Sequence, residues 1–152
     1  MATVNLPLSN GGTLSMLRGR GDGTFDPSRD YPCGTDARWP AATDLDEDGK
    51  SDIAVPSRFG TSVLIYRANA EASFGSAVSI RIGKGPAAVT SGDLDGDGRP
   101  DLVTTFFSGD SLAVVLATGP GTFGAPTALA MGVSTGYLEL GDLNGDGKPR
   151  IW

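Results

Sequence analysis

The chain has 152 residues, a formal net charge of −6, 39% hydrophobic residues, 23 glycines and 10 prolines. This composition is typical of one turn-dense all-β domain. The acidic balance argues against nucleic acid as a partner, because phosphate recognition needs clustered Lys and Arg. With no histidine and one cysteine, the chain cannot build a Ser-His-Asp triad, a His-based zinc site or an internal disulfide.

The N-terminal segment does not read as a targeting sequence. Residues 1–5 (MATVN) lack the charged region and the following apolar run of a signal peptide. No apolar stretch approaches the roughly 18 residues that a membrane-spanning helix needs. We therefore expect no signal peptide in the given chain and no membrane insertion.

Three conspicuous features along the chain are expected to be structural. The cell-adhesion tripeptide Arg20-Gly21-Asp22 falls in a predicted hairpin turn, and we interpret it as part of that turn. Cys33 in Tyr-Pro-Cys-Gly is expected to be a free thiol in a turn. Trp39 and Tyr137 are expected to be packing residues rather than a platform for sugars.

An acidic segment occurs three times, starting at Asp44, Asp93 and Asp142, which are 49 residues apart. A fixed period of this size indicates a repeat architecture. The segments are named loop 1 (residues 44–52, DLDEDGKSD), loop 2 (93–101, DLDGDGRPD) and loop 3 (142–150, DLNGDGKPR).

The acidic loops have the donor pattern of a calcium site. Ca²⁺ takes six to eight oxygens at about 2.3–2.6 Å, so a short segment must fold back and aim alternate side chains inward. In loop 3 Arg150 replaces the closing Asp, which leaves open whether that loop binds metal. The expected ligands are Asp44, Asp46, Asp48, the Lys50 carbonyl and Asp52 in loop 1; Asp93, Asp95, Asp97, the Arg99 carbonyl and Asp101 in loop 2; and Asp142, Asn144 and Asp146 in loop 3.

An EF-hand would begin with a similar pattern but requires a Glu at its twelfth position and a helix on each side. The twelfth positions here are Val55 and Thr104. The flanking segments are short and rich in β-branched and aromatic residues, as in Val63–Tyr66, which predicts strands. The sequence therefore disfavours an EF-hand.

The remainder of each repeat predicts a four-stranded unit. Phe25, Phe74 and Phe123 also lie 49 residues apart, each after a turn-forming segment. Each repeat places one strand before the acidic loop, one after it, a third before the turn and a fourth after the Phe. Four short antiparallel strands in a repeat of this length describe a β-propeller blade.

The acidic loop, together with Phe123-Gly124-Ala125-Pro126, resembles the FG-GAP/VCBS repeat, the blade unit of integrin α-subunit propellers and of many bacterial secreted proteins. The resemblance implies that the carboxylates of loops 1 and 2 are calcium ligands. It also implies an extracellular or cell-surface location. The sequence departs from the repeat at Arg150 and at Asp26-Pro27, which stand where the closing Asp and Gly-Ala are expected.

The repeat spacing predicts one domain of about three blades. A partial blade is expected at residues 2–32, whole blades at 38–82 and 87–131, and the first strand and metal loop of a further blade at 136–152. Propellers have four to eight blades, so three cannot close a ring. The expected partner is either a second copy, closing a six-bladed ring, or the remaining blades of a longer chain.

Three functions fit these observations, and we expect no enzymatic activity. The first is a non-catalytic calcium-binding propeller module for protein binding, adhesion or assembly. The second is a lectin-like propeller that binds glycans. The third is a propeller fragment of a larger secreted enzyme, although the carboxylates it would need are mostly committed to the metal loops.

Overall fold

The computed structural model describes residues 2–5, 12–69, 73–132 and 136–152, with only the backbone of 2–5. These ranges contain strands and turns but no helix. The strands are β1 (Ala2–Asn5), β2 (Gly12–Met16), β3 (Arg29–Gly34), β4 (Ala41–Thr43), β5 (Asp52–Pro56), β6 (Ser62–Tyr66), β7 (Val78–Arg81), β8 (Pro86–Gly92), β9 (Asp101–Phe106), β10 (Ser111–Val115), β11 (Ala117–Gly119), β12 (Thr122–Phe123), β13 (Thr127–Ala130), β14 (Leu140–Gly141) and β15 (Arg150–Ile151).

The strands form antiparallel sheets in chain order. The first sheet is β1-β2-β3, the second is β4-β5-β6-β7 and the third is β8-β9-β10-β13. A small hairpin, β11–β12, lies between β10 and β13, and β14 pairs with β15 in a terminal hairpin. Loops 1, 2 and 3 connect β4 to β5, β8 to β9 and β14 to β15. The predicted all-β fold of four-stranded propeller blades is confirmed.

Strand β5 is buried over its whole length because both faces of its sheet are covered. Ile53 and Val55 pack in one hydrophobic cluster with Leu14 of the first sheet. Ala54, on the opposite face, packs in another cluster with Val89 of the third sheet. Alternate side chains of a strand point to opposite faces, so an apolar run without polar positions is what a blade between two neighbours requires.

A third cluster joins the third sheet to the segment that leads into the terminal hairpin. Ala88, Val103 and Leu112 are buried with Leu138, and Leu140 packs against them. Each fully buried valine or leucine side chain contributes about 1.5–3 kcal/mol. The three clusters place the core between the sheets, so each sheet depends on its neighbours for burial.

Cys33 does not lie in a turn, contrary to the expectation from its flanking proline and glycine. It lies in β3, is fully buried, and packs in the cluster that contains Leu14 and Val55. Burial raises the pKa of its thiol. Within the described ranges, no helix has the length and hydropathy needed to cross a bilayer.

Candidate metal centre

Loop 1 is wound around the carboxylate of its first residue. Asp44 accepts hydrogen bonds from the amides of Asp48 (3.1 Å) and Gly49 (2.8 Å), which turns the chain back on itself. Gly49 has a φ of +84°, a conformation that costs glycine little. The amide of Lys50 donates to Asp48 at 2.9 Å. The turn thus brings alternate acidic side chains to one side of the loop.

Loop 2 repeats this winding. Asp93 accepts from the amides of Gly96 at 2.7 Å and Gly98 at 2.8 Å. Asp97 accepts from the Arg99 amide at 2.9 Å, and that hydrogen bond is the main cause of its lowered pKa. Because the two loops share one residue pattern, their backbones take the same path.

Asp52 and Asp101, predicted as closing ligands, are fully buried and hold the fold around each loop. Asp101 accepts from the amides of Leu94 and Ala117, both at 2.8 Å. Asp52 accepts from the amides of Leu45 at 3.2 Å and Ala68 at 2.8 Å. Each carboxylate therefore ties the start of its acidic loop to the chain just beyond the third strand of its sheet.

Loops 1 and 2 each contain a group of three carboxylates that are close enough to bind the same cation. Ligand oxygens of Asp44, Asp46 and Asp48 lie within 4.8 Å of one another, and so do those of Asp93, Asp95 and Asp101. Asp52 and Asp97 lie outside these two groups. The Lys50 and Arg99 side chains pair with the carboxylates of Asp48 and Asp97, respectively. Their carbonyls remain predicted ligands.

One carboxylate oxygen of loop 1 is suited to metal coordination. The Oδ1 atom of Asp46 is buried and has no hydrogen-bond partner among the described residues. A buried carboxylate oxygen without a partner is costly, whereas coordination of a cation satisfies it. The donor set of loop 1, which consists of oxygens alone, suits a hard divalent ion such as Ca²⁺.

In loop 3 the side chain of Arg150, a residue of the loop itself, lies among the acidic groups. The guanidinium of Arg150 donates to Asn144 Oδ1 at 2.7 Å and to Asp146 Oδ2 at 2.7 Å, and it lies 3.8 Å from Asp142. This contact is the main reason that the pKa of Asp146 falls to about 2. The residue that departs from the repeat pattern thus places its positive charge among the predicted ligands of loop 3.

Loop 1 also contacts the next sheet through residues that the sequence analysis did not single out. The amide of Gly121, in the turn between β11 and β12, donates to the carbonyl of Leu45 at 2.8 Å. Arg67 donates to the carbonyl of Gly121 at 2.6 Å and lies 3.7 Å from the carboxylate of Asp46. Leu45 itself is only 2% exposed, so loop 1 fills the space between the second and third sheets.

A second contact joins the loops directly. Arg99 of loop 2 lies 3.3 Å from the carboxylate of Glu47 in loop 1. Glu47 has a φ of +63°, and glycine occupies its position in loops 2 and 3 as Gly96 and Gly145. In the sequence, the only sign of this contact is that Glu47 stands where loops 2 and 3 have glycine.

The loop geometry agrees with a family comparison. A model of the FG-GAP-like repeat matches residues 4–55 and 44–104, which together form more than half of the chain. The chain belongs to the FG-GAP-like repeat family. No curated protein shows significant similarity to its sequence.

Two solved structures share the fold of these FG-GAP-like repeats. A lectin of Agrocybe aegerita, described as recognising non-reducing terminal N-acetylglucosamine, is 26% identical with a TM-score of 0.65, over 94% of this chain and 40% of the lectin chain. The Photorhabdus luminescens Tc holotoxin pore is 19% identical with a TM-score of 0.54, over 99% of this chain and 8% of the toxin chain. This chain therefore spans less than half the length of either.

Trp39 and Tyr137 are surface residues of these repeats, so the expectation that they are packing residues is wrong. Their side chains are 46% and 59% exposed, and both line a groove of about 470 Å³ beside β4 and β8. Thr90, Ser91 and Glu139 add polar groups to its walls. The hydroxyl of Tyr137 donates to the carboxylate of Glu139. Two aromatic faces and several polar groups therefore share one open groove.

The Arg20-Gly21-Asp22 tripeptide lies in an exposed turn, as predicted for this part of the repeat. The Arg20 amide donates to the Thr24 carbonyl at 3.0 Å, and the Arg20 side chain pairs with Asp26 at 2.7 Å. The carboxylate of Asp22 accepts from both the amide and the hydroxyl of Thr24. Both charged side chains of the tripeptide are thus engaged in stabilising the turn.

Proposed function

We propose that this chain is a calcium-stabilised, non-catalytic β-propeller module that presents its surfaces for protein binding, adhesion or assembly. The observation that carries the proposal is the pair of carboxylate groups, Asp44-Asp46-Asp48 and Asp93-Asp95-Asp101, each within the reach of one ion. The unpartnered buried oxygen of Asp46 is independent support.

The electrostatics of loop 1 favour a bound cation. Burial is the largest cause of the raised pKa of Asp52, and the carboxylates of Asp46 and Asp48 raise it further. Crowded carboxylates repel one another, and the attraction of each carboxylate to a bound divalent cation outweighs that repulsion. Ca²⁺ bound in loop 1 would also fix Asp46 beside Arg67, where the loop contacts the third sheet. In this proposal the metal stiffens a junction between blades.

The remaining elements of the proposal come from the family and from composition. The absence of histidine leaves the acidic residues as the main catalytic candidates, and most of these lie in the acidic loops. FG-GAP-like repeats are typical of extracellular proteins, where calcium is abundant. We therefore propose an extracellular or cell-surface role without catalysis.

Calcium titration by calorimetry tests the metal assignment. We expect two ions per chain, and we expect Asp46→Ala and Asp95→Ala each to remove one. Asp110→Ala, which changes an acidic residue outside the loops, is the matched control and should leave two. Undiminished calcium binding in both loop variants would refute the assignment.

Thermal unfolding provides a second test, because a ligand that binds only the native state stabilises it, by about 2.7 kcal/mol at one hundred times Kd. Asp46→Ala should lower the Tm in calcium and change it little in chelator. An equal change in both conditions would contradict a metal role for Asp46.

We also propose glycan binding as a second candidate function. The groove with exposed Trp39 and Tyr137 supports it, since aromatic faces stack on the apolar faces of sugar rings while polar groups bind hydroxyls. The lectin neighbour, at 26% identity, suggests a terminal N-acetylglucosamine as the first ligand to examine.

Calorimetry with N-acetylglucosamine and a glycan array would test this candidate. Trp39→Ala and Tyr137→Ala should each abolish binding, whereas Phe59→Ala removes an exposed aromatic outside the groove and should not. Binding that survives both groove substitutions, or no binding to any arrayed glycan, would overturn it.

A further inference from the structure

A groove of about 700 Å³ opens between the first and second sheets. Its lining combines apolar side chains, among them Met16 and Phe74, with the cationic side chains of Arg18, Arg29 and Lys50. This apolar groove with a basic rim lies beside loop 1, which contributes Lys50, and does not belong to either carboxylate group.

The repeat shows what occupies the equivalent position one sheet further along. Met16, Arg18 and Phe74 correspond, at the 49-residue period, to Ile65, Arg67 and Phe123. Between the second and third sheets these three residues surround loop 1. Leu45 belongs to the same hydrophobic cluster as Ile65 and Phe123, and Asp46 lies 3.7 Å from Arg67. The groove between the first and second sheets is therefore equivalent to the space that loop 1 fills between the second and third sheets.

Loop 3 carries a leucine that has no comparable slot among the described residues. Leu143 corresponds to Leu45, yet it is 61% exposed whereas Leu45 is 2% exposed. Leu94, the equivalent in loop 2, is partly buried against the third hydrophobic cluster. Asn144 takes the position in the repeat at which Asp46 lies beside Arg67.

We infer that loop 3 of a second copy of this chain docks in the groove, with Leu143 of the partner subunit between Met16 and Phe74. The joint repeats the contact that already exists between the second and third sheets, so it needs no new mode of packing. The terminal hairpin of one copy then lies beside the first sheet of the other. There β1 is paired only with β2 among the described strands.

This joint is head-to-tail, so its geometry sets the size of the assembly. Two joints between two copies close a ring of six blades. The partner contributes a residue that the groove needs for burial, because Met16 and Phe74 otherwise remain in contact with solvent.

Light scattering after size exclusion, in calcium and over a range of concentrations, tests the joint. Wild-type protein should have twice the 15.5 kDa mass of the chain. Leu143→Asp should be monomeric while keeping its native circular dichroism, because Leu143 is exposed within one chain. Leu129→Asp, which changes a comparably exposed leucine on β13, should have the wild-type mass. Monomeric wild type, or an unchanged mass for Leu143→Asp, would overturn the inference.

A disulfide-trapping experiment locates the contact. In a Cys33→Ala background, Leu143→Cys chains mixed with Met16→Cys chains should form a cross-linked heterodimer under mild oxidation. Mixing Leu129→Cys with Met16→Cys chains should give at least tenfold less. Equal cross-linking of the two pairs would show that another surface joins the copies and would overturn the assignment.

Discussion

The buried carboxylate of Asp101 gives the most direct test of how the acidic loops are built. Its two oxygens accept hydrogen bonds from the Leu94 and Ala117 amides, both at 2.8 Å, and the residue is fully buried. Asp101→Ala removes the acceptor of one buried amide, that of Ala117, and of one partly buried amide, that of Leu94. Each such amide costs about 1–3 kcal/mol, so we expect the free energy of unfolding to fall by about 2–6 kcal/mol. This is a large part of the stability of a typical domain.

Urea unfolding in chelator is the appropriate assay, because it removes any contribution of bound metal. With a denaturant dependence of about 1–3 kcal/mol per molar urea, the midpoint should fall by at least about 0.7 M. Asp97→Ala is the matched control, since Asp97 lies in the same loop but is exposed and pairs with Arg99. It should cost no more than about 1 kcal/mol.

Asp101→Asn refines the test because it preserves the side-chain volume and one acceptor oxygen. It should be destabilising, but less so than Asp101→Ala. If Asp101→Ala and Asp97→Ala lower the free energy of unfolding equally in chelator, Asp101 does not tie loop 2 to the strands, and the reasoning fails.

Three further predictions concern other contacts. Arg150→Asp removes the guanidinium from loop 3 and supplies the closing Asp that loops 1 and 2 have, so calorimetry should detect a third calcium ion; unchanged stoichiometry would contradict this. Gly121→Ala places a Cβ 2.3 Å from the Arg67 guanidinium at a φ of +63°, whereas Gly132→Ala, at +71°, meets nothing within 4 Å. Both variants bear the same backbone strain of about 1–3 kcal/mol, so Gly121→Ala should lose more stability than Gly132→Ala because only its Cβ meets Arg67. An equal loss would show that the Arg67 contact contributes nothing. Burial raises the pKa of Tyr66 from 10.0 to about 12, so the part of the stability that comes from this shift should be complete below pH 10 and should be lost as the pH rises toward 12; a difference in phenolate absorbance between wild type and Tyr66→Phe that titrates near 10 would refute it.

Much of this fold could be predicted from the spacing of particular residues. The 49-residue period placed loops 1 and 2 between the first two strands of a sheet, because an Asp-x-Asp-x-Asp-Gly segment forms a tight turn wherever strands flank it. These features depend on local chemistry, which the chain carries in its sequence.

The expectations that failed depend on contacts with distant parts of the chain. Cys33 follows a proline and precedes a glycine, as in many turns, yet it lies in β3, which pairs with β2, and its side chain is fully buried. Trp39 and Tyr137 have the size and hydrophobicity of core residues, yet they line an open groove. Whether an apolar side chain is covered depends on which sheet lies opposite, and the sequence of one strand does not contain that information.

The sequence by itself determined the repeat, the antiparallel blades and the position of the acidic loops, since all three follow from short-range patterns of carboxylates, glycines and β-branched residues. Only the tertiary structure decided how those loops are used. It buried Asp52 and Asp101 as acceptors for distant amides, set Arg150 among the predicted ligands of loop 3, and packed Leu45 between two sheets while leaving Leu143 exposed. These differences arise between residues with the same place in the repeat, because each contact depends on the neighbouring blade.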